Sequence, residues 1–197
     1  AYLSTLGADR NVLIPHHRIE QAVVDSGAAF TLLRASFFTQ NILEVHREDL
    51  LAHDEIFVPA GDGATSFVDA RDLGEAAAVV LSEPGHRNTA YDLTGPEALT
   101  YHEVAAIFSD VLGREITYAR PGVLAFGRRM RRQGHPWFFV GLMAVLYTTA
   151  RVGLAGRVTA DLGDLLGREP RTVHDFVVDY ADAFEPGATG APAVPAA

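Results

Sequence analysis

The chain has 197 residues, a formal net charge of -9, 48% hydrophobic and 21% charged side chains, values that suit one good core or a core plus a small appended subdomain. The negative charge argues against a nucleic-acid partner, because phosphate backbones require clustered positive side chains. All sixteen basic side chains are Arg and there is no Cys, which rules out Schiff-base lysines, disulfides, thiolate nucleophiles and zinc–thiolate sites together. No metal site is expected.

A Cys-free chain fits a cytoplasmic location. The opening Ala1-Tyr2-Leu3-Ser4-Thr5 has neither the basic nor the apolar region of a signal peptide. The most apolar run, residues 137–150, falls short of the roughly 20 residues that a membrane span needs and predicts a buried helix, so no membrane partner is expected.

Along the chain, apolar β-branched stretches alternate with segments of helical period, the rhythm of an α/β protein. Ala1, Tyr2 and Leu3 are too short for a strand by themselves and read as the end of one. Residues 13–26 put Ile14, Ile19, Val23 and Val24 near one helical face, with Pro15 in the first turn and Gly27 as a stop. Phe30-Thr31-Leu32-Leu33-Arg34 predicts a parallel strand buried on both faces, and residues 37–52 a helix. Residues 55–59 and 65–68 predict short strands around the turn Ala60-Gly61-Asp62-Gly63. Asp69 or Asp72 then caps a helix to about Ser82. A strand is expected over residues 89–93, and Thr100-Tyr101-His102-Glu103 has the form of a capping box, opening a helix that ends before Gly113.

Beyond residues 116–119 the pattern becomes helical, with helices expected over 122–133, 136–149, 159–166 and 172–184. The pattern therefore divides the chain into an α/β portion over 1–120, a helical portion over 121–185 and a tail over 186–197 that is expected to be disordered.

Four stretches carry a resemblance. They are Leu3-Ser4-Thr5-Leu6-Gly7-Ala8; His16-x3-Glu20 leading to Thr31-x2-Arg34-x6-Asn41; Phe67-Val68-Asp69-x-Arg71-Asp72-Leu73; and residues 91–100 followed by His102-Glu103-Val104. In this order and spacing the chain resembles the NmrA-like, atypical short-chain dehydrogenase family over about residues 1–184. The resemblance implies an α/β fold in which the second half of a Rossmann-type parallel sheet carries a small, mostly helical substrate subdomain. It makes residues 1–120 the C-terminal half of a Rossmann-like NAD(P)-binding domain with interleaved substrate-region segments, and residues 121–185 the substrate subdomain. It also implies NADP or NAD as cofactor and reduction of a small apolar carbonyl, quinone or related compound.

In that family a glycine-rich turn after the first strand meets the dinucleotide pyrophosphate at a helix N-terminus. Neither Gly61-x-Gly63 nor Gly153-x-x-Gly156 follows a strand and opens a helix in that way, so the likeness begins near the fifth strand of the family fold. The expectations are that this chain alone binds NAD(P)H weakly and is inactive, and that its partial sheet self-associates. A catalytically silent NAD(P)-sensing regulator, as some members are, and a remnant without a ligand are the other readings.

By the same resemblance, Ser4 and Thr5 approach the nicotinamide ribose at a strand end, or else simply satisfy the first turn of a loop. His16 stands where many members have a lysine on that ribose, and is the candidate catalytic and cofactor-binding residue. An imidazole titrates around pH 6.5 and can be both donor and acceptor, but it offers no fixed charge to a neighbouring tyrosine. His17 reads as a solvated helix residue. Phe38, Thr39, Gln40 and Asn41 match the loop that wraps the nicotinamide, although Phe37 and Phe38 also suit a core. Asp69, Arg71 and Asp72 read as capping residues, and residues 128–132 as a solvated basic helix face. Trp137, Phe138, Phe139 and Tyr147 suit a pocket lining or a helix core equally.

Overall fold

The computed structural model describes residues 1–12 and 14–185. In chain order the elements are β1 (Tyr2–Thr5), α1 (Pro15–Asp25), β2 (Thr31–Ala35), β3 (Phe37–Phe38), α2 (Gln40–His53), β4 (Glu55–Ile56), β5 (Ala64–Val68) and α3 (Ala70–Ser82). There follow β6 (Thr89–Leu93), β7 (Ala98–Thr100), α4 (Tyr101–Leu112), β8 (Thr117–Tyr118), α5 (Val123–Arg132), α6 (Trp137–Arg151), α7 (Asp161–Leu166), α8 (Val173–Asp179) and a 3-10 turn, Ala181–Phe184.

The chain is α/β and divides into two compact units. The first comprises Ala1–Thr39, Ser66–Glu97 and Val158–Thr172. Its sheet has the order β1-β2-β6, all parallel, with Ser4 opposite Arg34 and Arg34 opposite Asp92. Thr31, Leu32 and Leu33 are buried in succession, as a parallel strand covered on both faces requires. Leu33, Ala35, Leu73, Ala76, Val80, Leu93 and Leu162 pack into one core that joins the sheet to α3 and α7. Asp69 caps α3 by accepting from the Arg71 N–H at 2.8 Å, and its carboxylate also accepts from Nε and one terminal nitrogen of the Arg71 guanidinium. The fully buried Asp72 accepts from the Arg171 backbone N–H at 2.6 Å and from Arg168 at 2.8 Å, tying α3 to the segment after α7.

The second unit takes in Gln40–Thr65, Ala98–Arg157 and the residues from Val173 onward. β4 and β8 pair in parallel, Glu55 opposite Thr117. The Thr100 capping box is complete, with the Glu103 carboxylate accepting from the Thr100 N–H at 2.7 Å, and α4 ends at Gly113 in the left-handed region. Tyr147 packs edge-on against Tyr101 and Phe126, while Phe108 meets Phe184 edge-on. Gly63 is required where it stands, because a Cβ there would lie 1.8 Å from the Ala150 carbonyl oxygen.

Several sequence expectations are corrected. The strand read as ending at Leu3 runs on to Thr5, since β2 supplies pairing for Tyr2–Thr5 that its own residues could not advertise. Phe37 and Phe38 do not begin a helix: they pair with Phe67 and Val68, and the Thr39 N–H donates to the Val68 carbonyl at 2.9 Å, so α2 starts only at Gln40. The segment after Thr172 is α8 followed by a separate 3-10 turn rather than one helix. α6 is buried along one face only, through Val140, Met143, Tyr147 and Ala150, while Trp137 and Phe138 are exposed. The tail assigned to 186–197 and the helix start assigned to Leu13 lie outside the described residues.

Candidate functional site

The C-terminal ends of β1, β2 and β6 lie side by side, and the ladder continues past them: the Leu6 N–H donates to the Ala35 carbonyl at 2.9 Å and the Ser36 N–H to the Leu93 carbonyl at 3.0 Å. In open parallel sheets this edge is where ligands are taken. Thr5 ends β1 here, half-buried, and the chain then reaches α1, whose first turn presents His16.

His16 is held by a residue that the sequence did not single out. The Tyr2 hydroxyl lies 2.8 Å from His16 Nδ1, with the two rings tilted against each other. Burial and the charge of Glu20 push the Tyr2 phenol above its ordinary value, so it remains protonated and able to donate. In the tautomer where Tyr2 donates to Nδ1, the ring proton sits on Nε2, and among the described residues Nε2 makes no hydrogen bond. In that tautomer His16 offers an oriented N–H donor. His17 is not simply solvated, as its Nδ1 lies 2.7 Å from the Ala8 carbonyl oxygen and fastens the loop before α1.

Beneath this pair runs a buried polar chain. Glu20 is 2% exposed; it accepts from the Ser4 hydroxyl at 2.5 Å, from Arg34 Nε at 3.0 Å and from the Arg34 terminal nitrogen at 2.7 Å. Burial alone would raise the Glu20 carboxyl, but the Arg34 and Ser4 hydrogen bonds and the Arg34 charge outweigh it and hold the group below its usual range. The Glu20 hydrogen bonds in turn raise Arg34, whose guanidinium also lies 3.8 Å from Asp9 and from Asp92. The spacing His16-x3-Glu20 and the later Arg34 thus have a structural meaning: they lock α1 onto β1 and β2. Ser4 gives its proton to Glu20 and is spent on this lock, whereas Thr5 and His16 remain at the sheet edge.

The loop residues divide. Phe38 packs against the core of the first unit, Phe37 meets Phe67 edge-on, and Thr39 is buried with its N–H given to Val68. Gln40 and Asn41, both half-buried, open α2 in the second unit. No group of His, Asp and Glu suited to a metal occurs among the described residues.

Tyr2 was missed because only the end of its strand is legible in the sequence, with no partner to give its side chain a role. Its alternation with Ser4 on one face of β1 is the cue that would have found it.

Comparison with known proteins gives the family and the fold. The NmrA-like family matches residues 10–126. The chain is 34% identical over 165 residues to the NAD(P)H azoreductase of Xenophilus azovorans, covering 84% of this chain and 57% of that protein. It is 30% identical over 180 residues to quinone oxidoreductase 2 of Escherichia coli, covering 90% and 63%. The crystal structure of the Escherichia coli NADPH-dependent quinone oxidoreductase superimposes with a TM-score of 0.83, and that of the Citrobacter sp. triphenylmethane reductase complexed with NADP(H), 27% identical, with 0.80; these cover 89% of this chain in each case and 65% and 62% of the other. The chain thus spans about three fifths of the length of such relatives. With more than half of its residues matched and the parallel sheet in place, this chain belongs to the NmrA-like family.

Proposed function

We propose that this chain supplies the nicotinamide end and the substrate side of an NAD(P)H-dependent reductase acting on a small, apolar carbonyl, quinone or related compound. The observation that carries the reading is the Tyr2–His16 pair at the C-terminal edge of the parallel sheet, which leaves an imidazole N–H directed by its own hydrogen bond. The reading is supported by relatives named as an NAD(P)H azoreductase and an NADPH-dependent quinone oxidoreductase.

The residues fit a nicotinamide riboside. A ribose hydroxyl needs a fixed donor or acceptor, and His16 Nε2 can supply one. Thr5 adds a hydroxyl at the end of β1 in the same unit. When bound, the reduced nicotinamide supplies the hydride. The chain's part is to orient it: Glu20 and Arg34 hold α1, α1 holds His16, and Tyr2 sets its tautomer. The pyrophosphate contacts of a dinucleotide are assigned to a glycine-rich turn that these residues do not contain, so this chain alone binds NAD(P)H weakly.

Titration calorimetry with NADPH and NADH tests this on the 197-residue chain and on the chain joined to the Rossmann segment of a relative. The joined protein binds and oxidises NADPH with a quinone or aldehyde acceptor, and His16→Ala weakens its binding. Tight binding without turnover on any acceptor would instead select the silent sensor. Micromolar binding by the chain alone would overturn the division of the site.

A further inference from the structure

We propose that the α5–α6 hairpin is a docking surface for an anionic membrane, lying in the headgroup region without crossing it. Charge is the first observation. Residues 116–160 contain seven of the sixteen arginines and none of the 25 acidic residues of a chain whose net charge is -9. Of these arginines, Arg120 and Arg129 are paired with Asp62, Asp49 and Glu55 from elsewhere in the chain, while Arg128 and Arg132 stand exposed on α5, where basic side chains are drawn to anionic headgroups.

The second observation is where the apolar side chains point. α6 buries Val140, Met143, Tyr147 and Ala150, and turns Trp137, Phe138, Leu142 and Val145 outward, with Phe138 84% and Trp137 69% exposed. These four positions follow the i, i+1, i+5, i+8 spacing of one helix face. On α5 the outward face pairs Leu124, 80% exposed, with the exposed Arg128 and Arg132. The Arg131 guanidinium lies over the Trp137 ring at 5.0 Å, and the two helices approach closely where Gly127 faces Val140. An aromatic and aliphatic face flanked by arginines, with Trp among them, is the composition of helices that rest at the boundary between headgroups and acyl chains.

Length separates resting from spanning. α6 has 15 residues, about 22 Å at the rise of an α-helix, against roughly 30 Å of hydrocarbon. No helix among the described residues is long and apolar enough to cross a membrane.

A second copy of the chain fits this face less well. A two-fold interface would set Arg128, Arg131 and Arg132 against their own counterparts with no acidic residue of residues 116–160 between them. Arg129 offers no such problem because it is already paired with Asp49 and Glu55.

Trp137 is the single tryptophan, so its emission reads the contact directly. With vesicles of phosphatidylcholine and phosphatidylglycerol, the expected result is co-sedimentation and a blue shift, both reversed by high salt, and neither with phosphatidylcholine alone. Arg128→Gln with Arg132→Gln lowers partitioning roughly thirtyfold, from the loss of two basic contacts. Phe138→Ser, at a position with nothing packed over it, reduces both partitioning and the blue shift while leaving the circular dichroism spectrum unchanged. Absence of a shift on the anionic vesicles would overturn the proposal, as would equal binding to neutral vesicles. So would a lipid-free, concentration-dependent association abolished by Phe138→Ser, which would assign the face to a second copy.

Discussion

Replacing Arg34 by Met tests the lock beneath the candidate site. The substitution removes three hydrogen bonds from a Glu20 carboxylate that is 2% exposed and leaves Ser4 as its partner. Breaking one side of a buried ion pair costs about 3–5 kcal/mol, because the remaining charge is left desolvated. The contacts of Arg34 with Asp9 and Asp92, at 3.8 Å, add no more than about 1 kcal/mol. The cost depends on pH, and its sign follows from Glu20. In the native protein the carboxyl is held below its unfolded value, so its contribution is present above about pH 4.3 and is lost as pH falls through the lower folded value. Without Arg34, burial wins and the folded value rises above the unfolded one; the contribution is then present below about pH 4.3 and lost as pH rises. The gap between native protein and variant therefore widens from acid toward neutral pH. Urea unfolding followed by circular dichroism, in acid below about pH 4.3 and at neutral pH, measures it. A gap below about 1 kcal/mol at neutral pH, or one that does not change with pH, would refute the reasoning.

Three further outcomes follow from the packing. Burial, aided by the charge of His135, lowers His46 to about 3, so neutral His46 contributes stability above about pH 6.5 that is lost as pH falls toward 3; acid unfolding of His46→Gln, followed by circular dichroism, should show a shallower loss over that window. Thr100→Ala removes the cap of α4 and should cost about 0.5–2 kcal/mol in urea unfolding, with Thr100→Ser restoring most of it. Gly95→Ala places a Cβ 1.9 Å from the Phe67 carbonyl oxygen, so backbone must shift, and should cost at least about 1–3 kcal/mol, read as a lowered urea midpoint.

Local chemistry made part of the fold legible. Thr100 and Glu103 announce a helix start by reciprocal bonding, Gly113 announces its end, and Asp69 caps α3 as its type and place predict. The continuous apolar run of β2 predicts burial on both faces, which Thr31, Leu32 and Leu33 display. What stayed hidden depends on partners distant in sequence. β1 is a strand because β2 pairs with it about thirty residues later, and Phe37 and Phe38 are extended because β5 lies beside them. Neither segment carries enough pattern to declare itself, since a strand's hydrogen bonds belong to another part of the chain whereas a helix's are its own.

The candidate site lies across that same divide. Two spacings, one from each kind of element, meet in it: i and i+4 put His16 and Glu20 on one face of α1, while alternation puts Tyr2 and Ser4 on one face of β1. The pairs Tyr2–His16 and Ser4–Glu20 consequently belong to a single helix–strand contact. Fixing either pair restrains the other. Glu20 is anchored by Arg34 from the next strand, so the orientation of the His16 ring rests on an ion pair that does not touch it. This coupling explains why the spacing of His16, Glu20 and Arg34 carries a family resemblance when only one of the three lies at the open edge of the sheet. On the function proposed above it also makes Arg34 a positioning residue: in the chain joined to a relative's Rossmann segment, Arg34→Met should weaken NADPH binding in titration calorimetry through α1, with Tyr2 and His16 both still present.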